Sequence, residues 1–482
     1  MNILGISAGF HDAAATVINN GEIVYAGHAE RYSKIKNDAN LHQAMFWEFS
    51  RERHIDHIAY YETPWKKQLR QLYSGQGIEW TRLTTRQILR QQLGGYFSEV
   101  PVTTHNHHLS HAAAGFQTSP FDRATVVVID AIGEWDTISI FGAEYINGRA
   151  VYRRLWRQLY PRSLGLFYSA ITQRIGLRPM EDEYIVMGMS GWGRPDYTDT
   201  MSILLNENLH AGVDHMFLPT ARDVDIAASA QAVVEREIYS VMQRAREFGW
   251  STNLVYQGGV ALNCLANRNL GEYFEKIWIM PNPGDAGSSL GAAALAYGGK
   301  IKFDNAFLGT EISGDYPVRA LVDSLLRDKI VGVAAGRAEF GPRALGNRSL
   351  LADPRGPDIK DRVNAIKRRQ QFRPFAPVIL EEHVDEYFDM PRGFVDSRYM
   401  QIVGRCRYAD LFPAIVHVDG TSRIQTVSAD GSGIRQLLEA WYAKTGCPML
   451  LNTSLNIRGE PMVNDRADAD RFESQYGIKV HS

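Results

Sequence analysis

Four histidines fall within seven residues of the stretch HNHHLSHAAAGF, residues 105–116: His105, His107, His108 and His111. His107 and His111 are four apart, so on a helix their imidazoles share one face at a spacing that suits a metal ion. A surface or core histidine pair is the other reading of H-x-x-x-H, and the density of imidazoles tips the balance toward metal. No glutamate follows His107, so the H-E-x-x-H pattern of metalloproteases is absent. An acidic ligand must then come from elsewhere in the chain. Asp285, in the turn NPGDAGS, is the natural candidate.

The elements that must carry these side chains read as α/β. NILGI (2–6) is a short buried strand, and AAATVI (13–18), Asn20-Gly21 and EIVYAGHAE form a hairpin after it. The same order recurs in TVVVID (125–130), TISIFGAEYI and Asn147-Gly148, with the two hairpin glycines 127 residues apart. Strand, polar turn and hairpin occurring twice predict an internally duplicated domain of the actin and sugar-kinase kind, with nucleotide between its halves. Two further segments run from a strand through glycine into a helix: LVYQGGVALNCLANRNL (254–270) and IWIMPNPGDAGSSLGAAALAYG (277–298). Glycines let a backbone approach a ligand, and helix starts attract anions. LGTEISGDYP (308–317) reads as a linker. Beyond it an Arg-rich stretch and the strands KIVGVAAG, AIVHVDG and PMLLN predict a second α/β domain over 319–482.

Composition narrows the function classes. The 482 residues carry a net charge of −2, so no global pull toward nucleic acid or membrane is evident. Three scattered cysteines, Cys264, Cys406 and Cys447, fit neither a disulfide framework nor a cysteine zinc site. No apolar run approaches a membrane span and the N-terminus has no signal-peptide form, so a cytoplasmic protein is expected.

The long motifs resemble those of the NodU/CmcH carbamoyltransferase family: ISAGFHDAAATVINNGEIVYAGHAERYSKIKND (6–38), HHLSHAAAGF, VVVIDAIGEWDT (126–137), QGGVALNCLAN and PNPGDAGSSLGAAA in the first half. EFGPRALGNRSLLADPR (339–355), FRPFAPVIL (372–380), VHVDGTSRIQTV (416–427) and LNTSLNIRGEPMV (451–463) continue the match in the second. The resemblance runs from about residue 3 to 472. It implies an N-terminal duplicated actin/sugar-kinase-like (ASKHA) domain over 1–308 and a C-terminal YrdC-like α/β domain over 319–482. It further implies an ATP-dependent O-carbamoyltransferase. The second domain would make carbamoyl-adenylate from carbamoyl phosphate and ATP. The first would hold it at a divalent metal, iron(II) or else magnesium, for attack by an acceptor hydroxyl.

On that resemblance the residues take expected roles. His107, His111 and Asp285 hold the metal. Asp130, Glu134, Gly258, Gly259 and Asn263 grip the nucleotide, and His11 beside Asp12 is the general base. In the second domain Arg343, Arg348, Arg373 and Arg423, with Asn452, Ser454 and Asn456, hold carbamoyl phosphate and ATP, since guanidinium forks match phosphate oxygens in pairs. One departure is Ile185 in DEYIVMGMS, where the family usually reads GEYKVMGLA.

The acceptor is expected to be the hydroxyl of a sugar or other small molecule. The alternative is a hydroxymethylated pyrimidine such as 5-hydroxymethylcytosine in viral DNA. For that alternative Arg82, Arg86 and Arg90, at i, i+4 and i+8, would form a basic helix face near Trp65, Tyr73 and Trp80, with Lys34 and Lys36 as further contacts. A solvated helix face is the plainer reading. A non-catalytic relative or an actin-like ATPase is a third possibility from another class, disfavoured by the metal set and the Arg-rich second half. A homodimer is expected by resemblance, and no membrane partner is.

Overall fold

The computed structural model describes residues 1–50, 54–96, 98–394 and 397–482. The chain divides into two compact units, one of residues 1–29 and 37–304, the other of 30–36 and 305–482.

The first unit contains the same sheet twice. Strands β1 (Asn2–Ser7), β2 (Ala14–Asn19), β3 (Glu22–His28), β4 (His57–Tyr60) and β5 (Val102–Thr104) form one sheet in the order β3-β2-β1-β4-β5. Strands β6 (Arg123–Gly133), β7 (Asp136–Ile146), β8 (Arg149–Leu159), β9 (Asn253–Gln257) and β10 (Lys276–Trp278) form the other in the order β8-β7-β6-β9-β10. Strand directions agree as well. In each sheet the first three strands are antiparallel and the fourth and fifth run parallel to the first. Asn20 and Gly21 both have positive φ, as do Asn147 and Gly148, which is the conformation that tight hairpin turns demand. β6 is buried without interruption at Val126, Val127, Val128 and Ile129, each worth roughly 1.5–3 kcal/mol of burial.

A helix follows the last strand of each sheet, His107–Thr118 after β5 and Ser288–Tyr297 after β10 after a short turn. These two helices pack directly against each other. Asn106 caps the first by accepting from the Leu109 amide at 3.1 Å. The expected helix after Gly258-Gly259 is instead a 3₁₀ turn, Gly259–Leu262, and a separate short helix, Cys264–Asn267. Asn263 causes the break, because its side-chain oxygen caps the Ala266 amide and restarts the helix.

In the second unit six strands form a mixed sheet in the order Gln425–Val427, Ala376–Leu380, Met449–Ser454, Arg348–Ala352, Ile330–Ala334, Val480–His481. Both faces are buried. Leu321, Leu325, Leu437, Leu438 and Trp441 pack on one, and Ile359, Val363, Phe388 and Phe412 belong to a second cluster. The first half of the expected linker at 308–317 is strand. Phe307–Ile312 pairs with Gly336–Glu339, and Thr310 is buried, its hydroxyl bonded to Tyr32 and Asn464. AIVHVDG is not a strand; it lies in turns around Gly420, whose φ is +80°.

Candidate functional site

The helix of His107 and His111 starts where β6 ends, and the turn before the second packed helix brings up Asp285. His107 Nε2 lies 3.3 Å from Asp130 Oδ2 and 3.3 Å from Asp285 Oδ1. His111 Nε2 lies 3.3 Å from Asp285 Oδ1, 3.7 Å from Asp130 Oδ2 and 3.1 Å from His107 Nε2. All four side chains are buried, and their donor atoms lie within 4.8 Å of one another. Metal–nitrogen and metal–oxygen bonds of about 2.1 Å put neighbouring ligand atoms about 3.0 Å apart in an octahedron and about 3.4 Å in a tetrahedron. The contacts of 3.1–3.7 Å lie close to those values, so the donor set fits a cation at its centre.

The surroundings present the right nitrogens. His111 Nδ1 donates to the Pro283 carbonyl at 3.0 Å, so Nε2 is the nitrogen turned to the cluster. His107 Nδ1 faces Glu62 Oε2 at 3.6 Å, and Lys67 holds Glu62 at 2.8 Å. Gly259 donates its amide to Asp130 Oδ1 at 3.0 Å. A side chain on Gly258, whose φ is +92°, would put its Cβ 2.1 Å from the Ile129 carbonyl oxygen. The glycine pair therefore lets the turn close and hold Asp130, and the Gly259 amide is not left for a phosphate.

Electrostatics follow from this crowding. Burial alone would lower the His107 pKa, but the Asp285 charge and the Asp130 bond hold it well above the ordinary value. His111 is raised in the same way by its bonds to Asp130 and Asp285. Burial opposes ionisation of Asp130 and Asp285, and the two imidazoles override it, keeping both carboxylates charged. His11 donates or accepts through Nδ1 at 3.1 Å from Asp12, and its Nε2 lies 3.7 Å from Asp285. Burial would depress His11, but the Asp12 bond and the nearby carboxylates push it up to about 9.

In the second unit a buried lysine outside the expected set bonds two of the residues expected to hold phosphate. Lys367 is 4% exposed; its Nζ donates to Ser454 Oγ at 3.0 Å and Asn456 Oδ1 at 2.7 Å. Burial, then the charges of Arg369 and Arg373, lower its pKa well below the usual lysine value. Ser454, Asn456 and Arg373 are thus brought together. Arg343, in the loop after Glu339, and Arg423, at the end of strand Thr421–Arg423, are half-buried.

The family models decide what kind of chain this is. One for the carbamoyltransferase N-terminus matches residues 96–211 and 209–294, and one for the carbamoyltransferase C-terminus matches 322–481. The chain belongs to the carbamoyltransferase family. It is 33% identical to an uncharacterized protein of Synechocystis sp. over 98% of this chain and 94% of that protein. It is 30% identical to nodulation protein NolNO of Sinorhizobium fredii over 95% of this chain and 76% of that protein. Among solved structures, HypF of T. kodakarensis aligns with 61% of this chain and 47% of its own, at 16% identity and a TM-score of 0.34.

Several of the expected ligands in this family member make other contacts. Arg348 is fully buried, and its guanidinium donates to the carbonyls of Asn464, Ala335, Asn347, Thr310 and Gly336. No fork is left for a phosphate, so Arg348 ties the start of its interior strand to the neighbouring loops. Asn452 is also buried, donating to Ala344 and Gln425. Glu134, at φ +59°, accepts from the Thr63 amide and from Asn106, both at 2.7 Å, and so anchors the cap of the histidine helix. Asn263 is held by Gln231 as well as capping.

The basic face disperses. Arg82 lies in the turn Trp80–Arg82, outside the helix Thr85–Leu93, and donates to the Gly9 carbonyl at 3.0 Å. Only Arg86 and Arg90 share the helix, where both are exposed. Lys34 and Lys36 belong to the second unit, paired with Asp468 and Glu30. Ile185 is buried at 1% exposure in helix Glu183–Met189, a position that suits an apolar side chain.

Proposed function

We propose that this carbamoyltransferase uses ATP and carbamoyl phosphate to form carbamoyl-adenylate in its second unit, and moves the carbamoyl group to an acceptor hydroxyl at the His107–His111–Asp130–Asp285 cluster. The single observation that carries the reading is that cluster, buried, with its donors at ligand spacing and His11 beside it.

His107, His111, Asp130 and Asp285 would hold the cation. Two imidazoles beside two carboxylates suit iron(II) better than magnesium, which prefers oxygen ligands. A bound divalent cation supplies positive charge against a nucleotide phosphate and against charge developing on a carbonyl oxygen. The protein's own groups do the rest. Glu62 and the Pro283 carbonyl orient the two imidazoles, and Gly259 orients Asp130. In the transfer the acceptor oxygen bonds to the carbamoyl carbon, and the bond from that carbon to AMP breaks. The hydroxyl proton must be taken up, and His11, steered by Asp12, is placed to take it once the carboxylates beside it are neutralised. In the second unit Lys367, Arg373, Ser454 and Asn456 form the polar, cationic group suited to carbamoyl phosphate and ATP.

The test is transfer of radiolabelled carbamoyl phosphate, with ATP and iron(II), to a panel of alcohols and hydroxymethylcytosine DNA. His107→Ala and Asp285→Ala should each abolish transfer and leave carbamoyl-phosphate-dependent pyrophosphate release largely intact. Equal loss of pyrophosphate release in both variants would overturn the division of labour.

A further inference from the structure

Helix Pro64–Tyr73 of the first unit is inverted, with its polar side buried and its apolar side exposed. Apolar side chains recur along it at i, i+4, i+7 and i+8, the stripe that normally faces a core. Here Trp65 is 52% exposed, Leu69 48%, Leu72 52% and Tyr73 68%. The buried side chains are Lys67, Gln68 and Arg70. Each is engaged on the inner side. Lys67 bonds Glu62 at 2.8 Å, Gln68 accepts from the Glu79 amide at 2.7 Å, and Arg70 donates to Gln76 and to the Glu134 carbonyl. Rotating the helix to hide the apolar stripe would break these bonds and strand buried polar groups, so the polar side fixes the inversion.

The exposed face has a definite size and chemistry. Residues three and four apart are neighbours on a helix, so the four side chains make one continuous patch. An aromatic side chain carries roughly 150–250 Å², so at these exposures the patch offers on the order of 400 Å² of apolar surface. Monomers rarely leave a contiguous apolar patch larger than a few hundred Å² uncovered. Of the helix's three cations two are buried, and the third, Lys66, lies 3.8 Å from Glu134 and 5.8 Å from the Trp65 ring centroid. A helix that lies in a lipid surface keeps its basic side toward the headgroups, whereas this one turns its basic side into the protein. A strand of nucleic acid needs cations between the rings it stacks on, and Leu69 and Leu72 stand there instead.

We infer that two copies of the chain pair through this face, their helices antiparallel about a two-fold axis at Leu69. The spacing is self-complementary, as a two-fold interface requires. Trp65 lies four residues before Leu69 and Tyr73 four after it. Trp65 of each copy therefore meets Tyr73 of the other, while Leu69 meets Leu69. Lys66 falls three residues before the axis and Leu72 three after it, which lays the methylene stem of Lys66 across Leu72. Like charges are kept apart, because Lys66 faces an apolar side chain. Two such patches bury about 800 Å², roughly half of a standard interface of about 1,600 Å². Ser74, Gln76 and Trp135, whose ring centroid is 5.5 Å from that of Tyr73, supply the rim.

The experiment is sedimentation velocity on the purified full chain across the micromolar range. The parent should sediment as a dimer with a Kd of about 10 µM or below. Leu69→Glu sets two carboxylates against each other on the axis and should raise Kd by roughly 100-fold. Leu69→Lys should do the same with two ammonium groups. An equimolar mixture of these two variants should restore a dimer holding one chain of each, because position 69 meets itself only across the two-fold axis. Ile203→Glu, at a residue 64% exposed elsewhere on the first unit, should leave Kd within twofold of the parent. Leu69 and Ile203 are exposed, so circular dichroism and Tm should match the parent in all three variants. A monomeric parent overturns the inference, whether the face stays bare or carries the protein to vesicles of phosphatidylglycerol. A dimer indifferent to Leu69→Glu, one lost in Ile203→Glu as well, or a mixture that stays monomeric also overturns it.

Discussion

Arg348→Met separates two accounts of a residue whose type and motif suggest phosphate binding and whose surroundings suggest scaffolding. The guanidinium reaches five main-chain carbonyls, from Thr310, Ala335, Gly336, Asn347 and Asn464. Each bond from a charged donor is worth about 1.5–3 kcal/mol net, but five on one group do not add. Burial opposes the charge and drags the arginine down to about 10, which offsets part of the gain. Methionine fills most of the volume and orphans the carbonyls, so a loss of about 3–5 kcal/mol is expected, as for breaking a buried charged contact. For a unit of this size that lowers Tm by about 6–20 °C. The assay is thermal unfolding of the full chain, paired with pyrophosphate release against carbamoyl phosphate concentration at a temperature where the variant is folded. The expected result is a lowered Tm with KM within twofold. A Tm within about 2 °C of the parent and a tenfold rise in KM would refute the scaffolding argument.

Three further outcomes rest on other parts of the structure. Gly258→Ala forces a Cβ to within 2.1 Å of the Ile129 carbonyl at a φ of +92°, so a cost of about 3 kcal/mol is expected, with weaker cation binding as the Gly259 amide leaves Asp130; calorimetry and a cobalt(II) titration check both. Lys367, its pKa lowered by burial and by Arg369 and Arg373, binds fewer protons folded than unfolded, so stability should rise with pH from its lowered pKa to about 10.4. Inorganic phosphate bound beside it should take up a proton in that window and bind more weakly as pH rises; titration calorimetry in two buffers of different ionisation enthalpy reads the proton, and Lys367→Met should remove it.

The duplicated sheet was legible because its signals are local: an apolar strand, then Asn-Gly, at Asn20-Gly21 and again at Asn147-Gly148. The histidine pair was legible for the same reason, since four residues on a helix define a face. Asp285 stood out in its glycine turn. Asp130 was assigned to nucleotide because its approach to His107 depends on how the end of β6 meets a helix from the other half of the repeat. Its only sequence signal is a carboxylate ending the apolar run VVVID. Arg348 and Lys367 exchanged importance for one reason. In a basic stretch such as IKRRQQFR the buried cation looks like the exposed ones, and burial comes from contacts far away in sequence. The linker at 308–317 looked polar because Thr310 takes its partners, Tyr32 and Asn464, from distant parts of the chain.

The assignment of residues 30–36 to the second unit bears on the order in which the protein can be made. Tyr32 and Lys34 leave the ribosome long before Thr310, Asn464 and Asp468, which complete their network. The short segment must wait until residues 305–482 emerge, and the second unit cannot close from those residues alone. A fragment beginning at Asn305 would lack the lysine that meets Asp468 and the hydroxyl that meets Thr310, whereas supplying residues 1–304 on a separate chain would restore both. Split expression is therefore a matter of complementation between two fragments, since no single cut yields two self-sufficient pieces.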